Sequence, residues 1–251
     1  MKKMICQNWF VLRKNRSTIV IPIILILFGF LSAYMESTAE EPTEMVVGSL
    51  FTQIFGQCLG IAMMMCGIGS VLFLRSDLNN GFIKNIAGNV RSDAQYFIPK
   101  IMVLAANNLL LLFSLVGGVL IGCTAFLNGL ADFDALVFFK YFGAAALLLT
   151  GISVLLTFIV FAVRSGSVPM ALAIVICTGL FANLFYPLLS FLLSKIGISF
   201  DCSKYSITLK LSMLSPAASN QELISACILA VGYVLVFGIL TKLVLAKKDA
   251  A

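Results

Sequence analysis

The dominant pattern along this chain is the alternation of six long uncharged apolar stretches with short charged segments. Roughly 20 apolar residues cross a bilayer as a helix, and each stretch is close to or above that length. Strands of a membrane barrel would show a weak alternation of polar and apolar residues instead of these solid runs. The pattern therefore predicts an all-α membrane protein with six transmembrane helices in a single transmembrane domain, residues 1–251. The stretches are 17–35, 45–74, 101–131, 141–163, 165–194 and 223–241.

Basic residues are distributed unevenly between the segments that join these stretches. If the N-terminus is cytoplasmic, the even number of spans puts both termini inside, and the inner segments then hold 13 of the 17 Lys and Arg residues. Because cytoplasmic loops carry an excess of Lys and Arg, this bias predicts cytoplasmic N and C termini. The net charge of +6 then indicates contact with anionic membrane lipid and no nucleic-acid partner. The outer segments hold Lys140, Lys195, Lys204 and Lys210.

Residues 1–17 precede the first stretch and combine basic residues with apolar residues at helical spacing. This pattern predicts a helix that lies in the inner headgroup layer, with Trp9, Arg13 and Lys14 as interfacial anchors. A basic segment that only sets the topology is the alternative interpretation.

The residue types that most catalytic and ion-coupling mechanisms need are scarce. The chain contains no histidine, and no Asp or Glu lies within any of the six stretches. Histidine is the commonest general base, and ion-coupled carriers usually place a carboxylate inside the membrane. The sequence also lacks a Gly-x-x-x-x-Gly-Lys-Ser/Thr phosphate loop, so any ATP-driven work needs a partner. We therefore expect that the chain is not an enzyme and has no catalytic, cofactor or metal site of its own.

Four uncharged polar residues stand out inside the apolar stretches. Gln53 and Gln57 lie one turn apart on one face of the second stretch, and Asn107 and Asn108 are adjacent in the third. They are candidates for the lining of a transport pathway. Hydrogen bonding between helices is the alternative role for all four.

Two Gly-x-x-x-Gly motifs, Gly56/Gly60 and Gly118/Gly122, occur in the second and third stretches. Because glycine has no side chain, such motifs allow two helices to approach closely. The motif predicts close contact, either within the chain or across a dimer seam.

The longest inner segment, residues 75–100, has the composition of a folded loop. Apolar residues recur in it at helical spacing, and Gly88 then ends the predicted helix. Ser92 and Gln95 fit a capping box that begins the helix leading into the third stretch. The loop therefore predicts a short amphipathic helix on the inner membrane surface. The alternative is a structured turn that only positions the loop at the lipid headgroups.

The loop carries an acidic residue, a Gly, a hydrophobic–Lys pair, a basic residue and a Lys at the opening of the third stretch, in this order: Asp77, Gly81, Ile83–Lys84, Arg91 and Lys100. In this order of residues the loop resembles that of the ABC type-2 transporter permeases. Those proteins typically carry an acidic residue, a Gly before a hydrophobic–Lys pair, a basic residue, and a Lys that opens the third span. The plan of six spans after a basic amphipathic start is also similar to that of the small bacteriocin and antibiotic export and immunity permeases. The resemblance implies that the loop contains the coupling helix, which docks onto an ATP-binding subunit. The candidate coupling residues are Asp77, Gly81, Phe82, Ile83, Lys84, Asn85 and Arg91.

The resemblance implies the membrane-spanning subunit of an ATP-binding-cassette exporter in the cytoplasmic (plasma) membrane of a bacterium. ATP and Mg would be bound by the partner ATP-binding subunit, and a second permease would complete a homodimer or a sibling heterodimer. The expected substrate is amphipathic or hydrophobic: a peptide, an antibiotic or a lipid-like molecule. The alternative is a non-transporting immunity or assembly component that binds a partner within the bilayer.

The last outer loop, residues 194–222, is long and partly apolar. ABC type-2 permeases carry short re-entrant helices at this place, and the resemblance implies the same here. Pro187 predicts a break in the fifth helix near Tyr186. An ordinary loop after a kinked span is the alternative. Ser219 and Glu222 form a second capping box, which predicts where the last span begins.

Overall fold

Nine α-helices and one 3-10 turn make up the described part of the chain. The structure is a computed structural model that describes residues 2–38, 50–79, 93–127, 133–163, 167–195 and 202–249. No strand occurs within these residues. The helices are α1 (Lys2–Lys14), α2 (Ser17–Ser37), α3 (Leu50–Asn79), α4 (Asp93–Phe126), α5 (Ala135–Ala162), α6 (Val168–Cys177), α7 (Leu180–Lys195), α8 (Ile207–Ser212) and α9 (Asn220–Asp249), and the 3-10 turn is Cys202–Tyr205.

Five of the described helices are long and apolar enough to cross a membrane. Their most apolar windows have mean hydropathies between 1.9 and 2.6. The protein is therefore an all-helical, multi-pass membrane protein. The five spans are Ser17–Ser37, Leu50–Ser76, Phe97–Phe126, Ala135–Ala162 and Asn220–Leu245.

The fifth apolar stretch forms two helices, α6 and α7, so the prediction of one continuous helix over 165–194 is wrong. The break lies at Thr178 and Gly179, and Gly179 has a φ of 74°, a left-handed conformation that glycine adopts readily. The prediction that Pro187 breaks the helix near Tyr186 is also wrong, because Pro187 lies inside α7. A proline removes one hydrogen bond, whereas a left-handed residue turns the chain away from the helix axis.

Helices α3 and α5 form the most buried part of the bundle, and α2 and α9 lie at its periphery. Helix α2 packs along α4, and α9 packs along α5. Helix α6 packs against α3, where the Cys177 sulfur approaches Gly67. Helix α1 rests on α4, close to the start of α2. The central helices α3 and α5 therefore contact side chains from several other helices.

Glycines allow α2 and α4 to pack with their backbones in contact. A Cβ atom on Gly118 would overlap the backbone carbonyl of Ile26, and one on Gly122 would lie 2.6 Å from the Ala33 Cβ. The close contact predicted for the Gly118/Gly122 motif is confirmed. Its partner is α2 of the same chain, so the motif is occupied within the subunit and does not form a dimer seam.

Side chains cap the beginnings of two membrane helices. The Asp134 carboxylate accepts hydrogen bonds from the first turn of α5. At the start of α9, the Ser219 backbone N–H donates to Glu222 Oε2 (2.9 Å), and the Glu222 N–H donates to Ser219 Oγ (3.3 Å). This reciprocal pair confirms the predicted capping box. Helix α4 is described from Asp93 onward, and the capping box predicted at its start depends on Ser92, which, like Gly88, lies outside the described residues.

Candidate functional site

A cluster of buried polar side chains joins α3, α4 and α5 inside the apolar bundle. Asn108 Nδ2 donates to Ser153 Oγ (2.8 Å) and to the Leu149 carbonyl (3.3 Å). The hydroxyls of Ser70 and Ser153 are also hydrogen-bonded, 3.0 Å apart. Ser70, Asn108 and Ser153 are all at most 1% exposed. Hydrogen bonds between membrane helices stabilise their packing, so this cluster ties three spans together at one level.

Two amide oxygens near this cluster have no hydrogen-bond donor among the described residues. They are Oδ1 of Asn107 and of Asn108, and both are buried. Asn107 lines a cavity of about 10 Å³ between α1, α2, α3 and α4, beside Thr18 and Gly69. A cavity of this size is about that of one water molecule. It is too small for a transported solute, so no pathway is open here in this conformation.

Gln53 and Gln57 lie on a different part of the bundle. Gln57 is exposed, Gln53 is partly buried, and neither side chain makes a hydrogen bond within the described part of the chain. On the next turn of this face, a Cβ on Gly60 would have no atom within 4 Å. Ser70 follows Gln57 by 13 residues, or about 20 Å along α3. The structure therefore separates the two glutamines from Asn107 and Asn108.

Lys100 joins α3 and α4 near the ends that flank residues 80–92. Its side chain is fully buried, and Nζ lies 5.4 Å from the centroid of the Phe73 ring. An ammonium group over an aromatic ring is a cation–π contact. A charged side chain inside a span is costly and is commonly functional. The contact connects the two helices that flank residues 80–92.

The predicted coupling residues fall mostly beyond the described ranges. Asp77 belongs to the last turns of α3. The others lie outside the described residues, and they are Gly81, Phe82, Ile83, Lys84, Asn85 and Arg91.

The predicted N-terminal helix is present as α1. Trp9 is half-buried and packs against the core, while Arg13 and Lys14 are exposed at the end of the helix. Leu12 is buried between α1 and its neighbours. One face of α1 therefore packs on the bundle, and the cationic side chains of Arg13 and Lys14 are exposed, as is typical of an amphipathic helix.

The segment between α7 and α9 reaches the middle of α5. Ile207 of α8 packs on Gly151, where a Cβ would lie 2.5 Å from the Ile207 side chain. Gly151 follows the first residue of α5 by 16 residues, or about 24 Å along the helix. The hydroxyl of Tyr233, near the middle of α9, donates to the Tyr205 carbonyl (3.0 Å). The glycine leaves the space that Ile207 fills.

From there the same segment returns to the beginning of α5. The buried Tyr141 hydroxyl donates to the Leu214 carbonyl (3.0 Å), and Lys140 Nζ donates to Asn220 Oδ1 (3.3 Å). Residues 205–220 therefore follow α5 from its middle to within two turns of its start.

A pocket of about 220 Å³ opens beside the first turns of α5. All of the described side chains that line it are apolar, and the Phe113 and Phe142 rings lie 5.1 Å apart across α4 and α5. Such a wall accepts a hydrocarbon chain or an aromatic ring and offers no partner to a charge. The pocket is lined by Phe51, Phe113, Val116, Leu120, Phe133, Phe138, Phe139 and Phe142.

The sequence analysis did not identify Ser70, Ser153 or Lys100 as site residues. Serines are frequent in membrane helices and usually bond to their own helix, as Ser70 also does with the Cys66 carbonyl. Nothing in their spacing shows that three helices bring them together. Lys100 was visible as a charge at the start of a span, but its burial depends on how α3 and α4 pack.

Comparison with known protein families finds no matching family model, and no curated protein matches the chain. Among the described residues, no group of three or more His, Cys, Asp or Glu side chains could hold a metal ion.

Proposed function

We propose that this chain is the membrane-spanning subunit of an ATP-driven exporter of the ABC type-2 class. It acts in the cytoplasmic membrane of a bacterium, with both termini inside and with α6 and α7 together forming a sixth crossing. A separate ATP-binding subunit binds ATP and Mg and performs the hydrolysis, so this chain is not itself an enzyme. A second permease, identical or a sibling, completes the transporter.

The packing of residues 205–214 against the middle of α5 and α9 carries this proposal. Ile207 against Gly151 and Tyr205 against Tyr233 bring a loop segment deep alongside two long apolar helices. Irregular backbone is stable at such depth only where protein or water satisfies its polar groups. ABC type-2 permeases, which the sequence resembles, have short re-entrant helices between their last two spans. The segment 205–214 is the counterpart that we propose.

The inner ends of α3 and α4 supply the mechanical connection. The Lys100–Phe73 contact lies about two turns from the ends of α3 and α4 that flank residues 80–92, the segment that contains most of the proposed coupling residues. Further along, the Ser70–Asn108–Ser153 cluster links the same two helices to α5. A displacement of the loop would move the three helices as one body, which is the usual way in which such transitions are transmitted.

The proposed substrate is amphipathic or hydrophobic. The aromatic pocket of about 220 Å³ suits a hydrocarbon or aromatic group. The exposed face of α3 at Gln57 and Gly60 offers an amide side chain and room for a neighbouring molecule. An unbonded amide facing lipid is unfavourable, so we propose that the second permease covers this face. The pathway would then run between the two subunits.

The test is purification of the affinity-tagged chain from its native membrane in mild detergent. We expect an ATP-hydrolysing subunit to co-purify with it. The double variant Phe82→Asp/Lys84→Asp should lose that subunit while the amount of chain in the membrane is unchanged, because it places two carboxylates in the docking surface. Ala246→Asp/Lys247→Asp makes the same change in net charge near the C-terminus and should retain the subunit.

Each outcome of this experiment addresses a separate part of the proposal. Absence of any ATPase from the unaltered chain's complex would refute the exporter and favour the immunity or assembly role. An ATPase that stays with the Phe82/Lys84 variant would show that the coupling surface lies elsewhere.

A further inference from the structure

A second cleft, of about 310 Å³, opens between the segment that follows the 3-10 turn and the first turn of α9. Its volume is in the range of sites for small ligands. Met213, Leu214 and Ala217 supply apolar surface, and Lys204 and Lys210 bring two ammonium groups to the same space. The cleft therefore combines an apolar wall with cations, the two features that an anionic amphiphile needs.

The described lining residues carry a net positive charge. Glu222 is the one carboxylate among them, and its Oε2 accepts the Ser219 N–H (2.9 Å) as part of the helix cap. The beginning of α9 adds the positive end of a helix dipole beside the two lysines. An anion in the cleft would meet donors from both lysines, since an ammonium group carries three N–H bonds.

The mouth of the cleft lies near the boundary between hydrocarbon and headgroups. Helix α5 has 28 residues and is about 42 Å long, roughly 12 Å longer than a hydrocarbon core. Lys140 is its sixth residue, about 8 Å from the start, and its Nζ bonds to Asn220, the first residue of α9. Glu222, at the mouth of the cleft, is therefore near the level at which lipid phosphates are found.

The two lysines reach the cleft from a deeper segment. Lys204 and Lys210 lie on either side of the residues that contact Gly151 and Tyr233, near the middle of α5 and α9. Both lysines line the same cleft as Glu222. Long lysine side chains can extend from such a depth toward the headgroups, so the ammonium groups can reach toward the mouth of the site.

We propose that this cleft binds the headgroup of an anionic phospholipid. Lys204 and Lys210 donate to the phosphate, and the glycerol and first acyl carbons contact Met213 and Leu214. Met213 is 70% exposed, which leaves its side chain available to a lipid chain. The inference concerns this chain alone and does not depend on the ATP-driven function.

The experiment is a binding titration of the purified full chain in detergent micelles, read by native mass spectrometry. The probes are phosphatidylglycerol, phosphatidylcholine and inorganic phosphate. We expect phosphatidylglycerol to bind more tightly than phosphatidylcholine. Lys204→Gln/Lys210→Gln should weaken phosphatidylglycerol binding at least about tenfold, because charge-assisted hydrogen bonds to the phosphate are lost.

The matched control is Lys195→Gln/Lys242→Gln, which removes the same charge from two lysines that do not line the cleft. In the structure, Lys195 Nζ lies over the Phe191 ring instead, 5.0 Å from its centroid. This control should bind phosphatidylglycerol like the unaltered chain. The proposal would be refuted if both double variants bound phosphatidylglycerol equally weakly, or if neither bound it more weakly than the unaltered chain. If the Lys204/Lys210 variant does not fold, Lys210→Gln alone is the second variant. We expect it to bind phosphatidylglycerol several-fold more weakly than the unaltered chain, and unchanged binding would contradict the proposal.

Inorganic phosphate separates a lipid site from a site for a free anion. Little displacement of phosphatidylglycerol at tens of millimolar phosphate supports the lipid, because the apolar wall contributes to its binding. Displacement by phosphate at the concentrations at which the lipid itself binds would overturn the assignment to a lipid.

Discussion

The backbone contact between α2 and α4 gives the sharpest prediction for stability. Gly118→Ala adds one methyl group where the nearest atoms are the carbonyl O, the carbonyl C and the Cα of Ile26. These are backbone atoms, so no side-chain rotation can relieve the overlap. Gly117→Ala makes the same change one residue earlier, where a Cβ has no atom within 4 Å. The pair therefore differs in the contact alone.

The expected difference follows from two opposing effects. Alanine is favoured over glycine in a helix by about 0.8–1 kcal/mol, which should stabilise both variants. At Gly118 the helices must separate, and forcing a group into a packed site costs about 1–3 kcal/mol. Because the overlap is with backbone, we place its cost near the upper end of that range. We therefore expect Gly117→Ala to be neutral or stabilising and Gly118→Ala to be destabilised by about 2 kcal/mol.

Thermal unfolding in detergent can be followed with a fluorogenic maleimide that reacts with cysteines. The chain supplies its own probes, because four cysteines are at most 1% exposed and become reactive on unfolding: Cys58, Cys66, Cys123 and Cys177. For a chain of this length, 2 kcal/mol corresponds to a decrease of about 4–8 °C in Tm. If Gly118→Ala unfolds at the same temperature as Gly117→Ala, α2 does not pack on α4 through Gly118.

Two further predictions use the same assay. Asn108→Ala should destabilise the bundle by about 1–2 kcal/mol, since it removes the hydrogen bonds to Ser153 and Leu149. Ser114→Ala, whose hydroxyl bonds to its own helix, should change stability by less than about 0.5 kcal/mol. An equal effect of the two substitutions would show that the polar cluster does not stabilise the bundle. Ser219→Ala should cost about 1 kcal/mol through loss of the α9 cap, and an unchanged Tm would show that the cap contributes nothing.

The sequence was sufficient for features that depend on local pattern. Long uncharged runs predicted the spans of α2, α3, α4, α5 and α9, because hydrophobic length is a property of the run itself. The α9 cap was also predictable, since Ser219 and Glu222 are three residues apart and need no distant partner.

Features that depend on the packing of distant residues were not predictable. Pro187 is a visible helix breaker, yet the chain breaks at Gly179, two residues after the contact of Cys177 with Gly67. The separation of Gln57 from Asn108 likewise depends on how α3 and α4 are placed against each other. Polar residue types alone carry no such information.

The break at Gly179 has an electrostatic consequence. Helix α6 ends beside Gly67, more than halfway along α3, and α7 begins at once, so a negative helix end and a positive one lie together inside the apolar layer. The Thr178 hydroxyl donates to the Ile174 carbonyl (2.8 Å) and compensates part of the carbonyl charge. The remaining charge creates a local field from peptide dipoles within a stretch, 165–194, that contains no Asp, Glu, Lys or Arg.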